Sequence, residues 1–423
     1  MAPEHRSWDR FAVVSIAAGA ALRAVFGLLI HPPLDYVYSD MQGYVTRAVR
    51  LADGVTLNRF DTFFPPGTHI VLALPLRIFG TGRAGMWAAS VLVLVMSCAV
   101  PWLAWRCATR VMNPKAAAIT AFLTAFWPLY VIYGGFFLSE IPSVIALLLT
   151  ILLAFRVRET EGRRRVLFAL AAGAAAGSAL AIRPQLVLNV TIAAVTMLGM
   201  RRSIRVAGAA ALGLVVPLAA VLALNTHAAG TFVGISENGG LNFFQGHCPV
   251  NSVRTSKPGV GVLEFGSPVV AQLERGREYF FTDHIAWEQS FFVRQGLDCI
   301  RADGIGHVAV LARNVADLGI TSVPWPPSVE RGLRRFVRPA NLAISWLLPS
   351  LIVGGVALAR SRRAAAGRPM LLVAHLLCVF PTAVIFYGDP RFRVPYDVFG
   401  LGLFAILLVS FTSRHEPDRT EAA

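Results

Sequence analysis

Two carboxylates, Asp40 and Glu140, stand just beyond long apolar runs, in "SDMQGYVTRAVRLADG" and "LSEIPSV". A carboxylate suits the removal of a proton from an attacking hydroxyl, provided it comes within hydrogen-bond reach. A pair of acids also suits a divalent cation or the orientation of a substrate. Each has a plainer reading as well. Asp40 is placed to cap the amphipathic run that follows it, and Glu140 to offset the dipole of a helix starting there. Arg183 in "AIRPQ", and Arg391 and Arg393 in "GDPRFRVP", sit at similar boundaries. Guanidinium is planar and binds phosphate through paired hydrogen bonds, so these three on one side would clamp a phosphoryl group. Anchoring at a membrane interface is the alternative for each. Arg23 lies inside the first apolar run, where a charge marks a functional site, an internal ion pair or a snorkelling side chain. Glu237, Asn242 and His247 occupy a Gly-rich stretch, either as ordinary loop residues or as a substrate-facing surface. His247 joins Asp40 and Glu140 as a candidate metal ligand. HExxH, GxSxG, phosphate-loop and CxxC patterns do not occur, and "GTGRAG" at Gly80–Gly85 lacks the strand–turn–helix setting of a dinucleotide site.

The elements that must position these residues are membrane helices. Of 423 residues, 55% are hydrophobic and only 15% charged, with a mean hydropathy of +0.59. A soluble domain carries roughly 25% charge. The net charge of +15 is not a nucleic-acid footprint, because the arginines gather in short clusters between apolar runs, as in "RVRETEGRRR". Lys115 and Lys257 are the only lysines, a bias that points to a GC-rich bacterial genome. The first run is too long for a cleaved leader and reads as an anchor.

Spans are predicted at Phe11–Ile30, Ala84–Trp105, Lys115–Phe137, Ile141–Phe155, Val166–Ile182, Gln185–Met200, Val206–Leu224, Ala340–Ala359, Pro369–Tyr387 and Val394–Phe411. The segment Pro65–Gly80 is short, begins at a proline pair and carries Pro75, which favours a re-entrant or interfacial helix. Charge supports that choice. With Pro65–Gly80 not crossing, the N-terminus and the clusters Arg106–Lys115, Arg156–Arg165, Arg201–Arg205, Arg360–Arg368 and Arg414 all fall in the cytoplasm, as the positive-inside rule demands. The expected architecture is therefore an all-α polytopic membrane protein of about ten helices. Three sections follow: residues 1–224, an N-terminal transmembrane module whose first outer loop, 31–83, carries the chemistry; 225–339, a small α-rich periplasmic cap; and 340–423, C-terminal helices with a short cytoplasmic tail. Within the cap, "HIAWEQSFFVRQGLDCIRADG" reads as amphipathic, with Ile285, Phe291, Phe292, Leu297 and Ile300 on one face. Cys248 and Cys299 are the two cysteines on the outward side, where a disulfide is allowed.

Taken in order, these pieces resemble the GT-C superfamily of integral-membrane glycosyltransferases, most of all the bacterial protein mannosyltransferase-like and lipid A aminoarabinose transferase-like enzymes. "ALRAVFGLL" with Arg23, "SDMQGYVTRAVRLADG", "FFPPGTHIVLALPLRIFG", "FWPLYVIYGGFFLSEIPSVIALLL", "SALAIRPQ" and "YGDPRFRVPYDVFGLGLFA" each resemble a segment of that family. The resemblance implies a monosaccharide donor linked to polyprenyl phosphate and an inverting transfer on the periplasmic side of a bacterial inner membrane, to a lipid, glycan or protein acceptor. It implies Asp40 as the base or metal partner, Glu140 as the acid of the second outer loop, and Arg183 with Arg391 or Arg393 on the donor phosphate. Arg23, Tyr44, Glu237, Asn242 and His247 would line the substrate site. A divalent cation fits that picture; a nucleotide or redox cofactor does not. Phe63-Phe64 stand where some subfamilies carry a Glu-Lys pair before the proline. The rival readings are a transporter or flippase of lipid-linked saccharides, which should show two matching halves and midplane acids, and an O-antigen ligase or polymerase.

Overall fold

The computed structural model describes residues 3–199, 203–249, 252–255, 263–266, 279–319, 347, 349–358 and 369–412. It is a bundle of apolar helices. α1 (Pro3–Val25) runs into a π-helical turn at Phe26–Ile30 and stops at Pro32-Pro33, where the chain can donate no further helical hydrogen bonds. α2 (Ser39–Ala52) and α3 (Gly67–Phe79) follow, then α4 (Arg83–Ala108), α5 (Pro114–Phe126) and α6 (Pro128–Tyr133). Next come α7 (Glu140–Glu159), α8 (Gly162–Ile182), α9 (Val187–Leu198) and α10 (Ile204–Ala229). Five stretches, Arg6–Asp35, α4, α7, α8 and α10, are long and apolar enough to cross a bilayer. Val13 and Val14 on α1, and Leu212, Val215 and Val216 on α10, are exposed, as lipid-facing residues must be. The Ala- and Gly-rich α8 packs closely on α10, the small-residue contact that lets membrane helices approach.

The segment expected to be re-entrant folds as α3. Its 13 residues span roughly 20 Å, short of the ~30 Å hydrocarbon core. The predicted span Lys115–Phe137 is two helices: Trp127 is extended because a proline follows it, and Pro128 restarts the chain as α6. Past a cap-like segment the chain returns as α14 (Pro349–Leu358), α15 (Met370–Leu377), α16 (Val379–Ile385), α17 (Pro390–Arg393) and α18 (Asp397–Thr412). Most of the predicted span Ala340–Ala359 before Pro349, the cluster Arg360–Arg368 and Arg414 lie outside the described residues.

Arg23 compensates for the break at Pro128. Pro128 has no N–H for the carbonyl of Thr124, so the end of α5 is left with unpaired acceptors. The Arg23 guanidinium supplies them: Nη2 donates to Thr124 O (3.0 Å), Nη1 to Ala125 O and to Gly19 O (3.1 Å), and Nε to Ser97 Oγ (3.1 Å). Buried to 1% exposure, it bonds neither Asp40 nor Glu140. Arg23→Met should strand those carbonyls, at on the order of 1–3 kcal/mol each. A fall in the unfolding temperature in detergent, with donor affinity unchanged, would be the signature of this structural role.

The cap-like segment holds α11 (Gly239–His247), α12 (Gln289–Asp303) and α13 (His307–Asp317). It also holds a sheet that the sequence reading did not foresee, with β1 (Ser252–Thr255) antiparallel to β2 (Leu263–Gly266) and parallel to β3 (Tyr279–Thr282). The buried face of α12 differs from the expected one. Phe292 and Gly296 are buried while Leu297 is exposed, because the missing side chain at Gly296 admits the Phe243 ring. Leu241, Phe244, Ala286, Trp287 and Phe292 form the small core, closed by a Cys248–Cys299 disulfide across 51 residues. A loop of that length is worth on the order of 4 kcal/mol in the chain-entropy account. Cys248→Ser with Cys299→Ser should therefore lower the melting temperature of the cap, and wild-type protein in reductant should match the double variant.

Candidate active site

Four segments of the bundle converge on one charged array. α2 is held by its amphipathic pattern: Met41, Tyr44, Ala48 and Ala52 are buried at helical spacing. Behind it, Asn58 and Asp61 form a capping box on the turn Arg59–Phe63, and Arg50 donates to Asp61 Oδ2 at 2.8 Å. Arg47 adds a bond to the Asp61 carbonyl at 2.9 Å. This lattice holds the second half of α2, whose first residue, Ser39, takes a left-handed φ of 51°. Such a backbone is uncommon outside glycine and clusters at functional sites.

Asp40 does not cap α2. The cap residue is Tyr38, with no side-chain bond to the helix, and the Asp40 carboxylate turns away to accept from Arg391 Nη1 at 2.9 Å. Arg391 Nε donates to Glu140 Oε1 at 2.9 Å. The same oxygen accepts from Arg183 Nη2, and Arg183 Nε donates to Ser139 Oγ at 2.9 Å. The result is a continuous chain, Asp40–Arg391–Glu140–Arg183, of two acids and two bases. Glu140 begins α7 and is fully buried, whereas the Asp40 side chain keeps 27% exposure. Among the described residues, two atoms of the array find no partner: Glu140 Oε2 and Arg183 Nη1. Burial works against the charge of Arg391, but Glu140 and Asp40 beside it more than offset this and raise its pKa. Asp389 precedes it and caps α17, accepting from the Arg391 N–H at 2.8 Å. Burial pushes its pKa up to about 6, against the pull of Arg391.

Tyr44 belongs to this neighbourhood. Its ring packs on Phe64 at 4.9 Å. Burial pushes the phenol up to about 12, with Arg391 pulling the other way, so it keeps its proton as a donor.

The remaining expected residues lie elsewhere. Arg393 pairs with Asp397 (2.6 Å) at the start of α18, and Asp397 also accepts from Trp127 Nε1 at 2.7 Å. With Tyr130 donating to Val394 O at 3.0 Å, this ties the broken span to the last helix. Glu237 accepts from Arg59 Nη2 (3.1 Å) and from Thr62 Oγ1, and its own N–H donates to Thr62 O (3.0 Å). It is a strut between the cap and the first loop, reinforced by Trp287 edge-on to Phe60. Asn242 is a half-buried residue of α11. His247 uses both ring nitrogens away from the array, on His307 and on Ile385 O. Among the described residues no three His, Cys, Asp or Glu side chains converge as a metal site.

Sequence reading missed Asp61, Asp389, Asp397, Asp303 and His307. The Asn58-x-x-Asp61 spacing is a legible capping box. Asp397, inside the apolar approach to α18, carries the same signal as Arg23, an ionisable residue where it is costly.

Residues 64–225 match the profile of the dolichyl-phosphate-mannose-protein mannosyltransferase family. Among the solved structures that share the fold are these two. One is ArnT from Cupriavidus metallidurans bound to undecaprenyl phosphate, at 17% identity and a TM-score of 0.52, over 94% of this chain and 60% of that one. The other is the Archaeoglobus fulgidus oligosaccharyltransferase in its apo form, at 15% identity and 0.51, over 96% of this chain and 51% of that one. The chain thus spans about half to three fifths of their length. No curated protein sequence gives a significant match.

Proposed function

We propose that this chain is a GT-C-type glycosyltransferase that moves a sugar from a polyprenyl-phosphate donor to an acceptor hydroxyl or amine at the outer face of the bacterial inner membrane. The observation that carries this reading is the array itself: an accessible carboxylate and two guanidinium groups joined through one buried acid. Undecaprenyl phosphate in ArnT supports the donor class. In this reading Arg391 and the unpartnered Nη1 of Arg183 take the donor phosphate, which is the leaving group. Phosphate competes with Asp40 for Arg391, and once it wins the carboxylate is free to take the acceptor proton. Attack opposite the leaving phosphate inverts the anomeric carbon. Glu140 does not touch the sugar here; it holds both arginines at one spacing. Tyr44 stays protonated and offers a hydrogen bond to the phosphate or the ring. A divalent cation would have to enter between Asp40 and Glu140, where Arg391 now sits.

The donor class is tested by mass spectrometry of lipids retained by the purified protein. A polyprenyl-phosphate monosaccharide is expected with the wild type and should be depleted in Arg391→Ala. Equal amounts in both, or no such lipid, would defeat the assignment of Arg391 to the phosphate.

A further inference from the structure

The turn that carries Asp389 and Arg391 is gripped from the cap by a histidine pair. His247, the last residue of α11, places Nε2 2.9 Å from the carbonyl of Ile385. Its Nδ1 lies 2.8 Å from His307 Nε2, and His307 Nδ1 lies 2.9 Å from Asp303 Oδ2. Both rings are buried. The packing around them is tight backbone on backbone. A Cβ at Gly246 would stand 1.3 Å from Phe386 O, and one at Gly388 would stand 1.8 Å from Asn314 O. Asn314 Nδ2 also donates to Gly246 O at 3.0 Å. Thus α11, α13 and the segment 385–388 form one clasp, three residues before Arg391.

Proton counting sets the charge of that clasp. A carbonyl oxygen only accepts, so His247 Nε2 must carry a proton. An ionised carboxylate only accepts, so His307 Nδ1 must carry one too. The two facing nitrogens need a third between them. All three bonds are made only when the pair holds one net positive charge, balanced by Asp303. A neutral pair leaves two lone pairs facing each other or a lone pair facing an oxygen.

We propose that the His247–His307 pair is a positioning device for Arg391: protonated, it clasps the last outer turn to the cap, and deprotonated, it lets that turn go. Burial pushes the His247 pKa down, and the hydrogen bond to the Ile385 carbonyl pulls the other way. The sign follows: the clasp is complete below the pKa of the pair and weakens as pH rises through it. The other ionisable groups on the packed segments are Asp317 on α13 and Tyr387, Asp389 and Arg391 on the turn; Arg294, Asp298, Arg301 and Arg313 are exposed. Asp389 titrates in the same range, so the test must separate the two.

The consequence for transfer rests on the function proposed above; the clasp does not. Hydrogen exchange of the full-length protein in detergent, read by mass spectrometry over 385–393 and corrected for intrinsic rate, measures it directly. Between about pH 5.5 and about pH 8, where histidine titrates, exchange of this segment should rise at least roughly threefold. His307→Gln with Asp303→Asn rebuilds the chain from neutral amides and should keep protection while flattening its pH dependence. His307→Phe should exchange fast at both pH values. A flat wild-type profile, or the wild-type slope persisting in the amide double variant, would overturn the proposal, the latter by assigning the slope to Asp389. In the transfer assay the wild-type donor KM should rise with pH while saturated turnover changes less, and the amide variant should lose that trend. Absence of transfer with the exchange pattern intact would count against the function and leave the clasp standing.

Discussion

Asp40→Asn should lower saturated turnover about 10²–10⁴-fold, the usual worth of a positioned general base, while donor binding survives. The substitution keeps the shape of the side chain and removes its proton affinity. It also relaxes the Asp40–Arg391 ion pair (2.9 Å), so the donor, which competes for that guanidinium, should bind at least as well as before. This combination separates catalysis from structure. A helix-capping role would leave both quantities nearly unchanged, since Asn caps about as well as Asp. Asp40 makes no cap bond in any case. Steady-state transfer at saturating donor, together with direct donor binding, gives the two numbers. A variant that binds donor and transfers at the wild-type rate would take the base role from Asp40.

Glu140→Ala should be the most damaging single change to stability among the array residues. Glu140 is fully buried and one of its oxygens accepts from both Arg183 and Arg391. Removing one partner of a buried ion pair costs about 3–5 kcal/mol, because the opposite charge is left uncompensated. Here two guanidinium groups lose their acceptor, and Arg183 is itself only 3% exposed. Arg391 retains Asp40, so most of the cost falls on Arg183. Glu140→Gln keeps an acceptor and should cost less. Chemical or thermal unfolding in detergent measures both, with Arg183→Met added to Glu140→Ala as the control. If the loss arises from the stranded charge, the double variant should recover part of it. A loss from Glu140→Ala below about 1 kcal/mol would mean that the two arginines do not depend on this carboxylate.

Much of this arrangement was legible in the chain because the signals were chemical and local. Apolar runs and arginine clusters gave the membrane bundle. Asp40, Glu140, Arg183 and Arg391 stood out as charges at the edges of apolar runs, and the structure brings these four together. Arg393 gave the same signal and landed elsewhere, because a four-residue spacing to Asp397 offered it a closer partner within one helical turn. Arg23 looked like a site residue for the same reason, yet its use is to cap a helix broken by a proline about a hundred residues away in sequence. Such long-range pairing leaves no periodic trace. The small sheet escaped for a different reason: its strands are four residues each, too short for alternation to register. The histidine clasp joins residues from α11, α12, α13 and α16, none of which carries a motif.

The central claim is sugar transfer by this chain, and the most direct test supplies purified protein with a radiolabelled polyprenyl-phosphate monosaccharide and an acceptor extract, with and without chelator. The account predicts that label leaves the lipid, appears in an acceptor fraction with release of free polyprenyl phosphate, and does so far more slowly with Asp40→Asn. Label that remains on its lipid in detergent, yet changes leaflet when the same protein is placed in vesicles, would contradict it and make the protein a carrier of the donor.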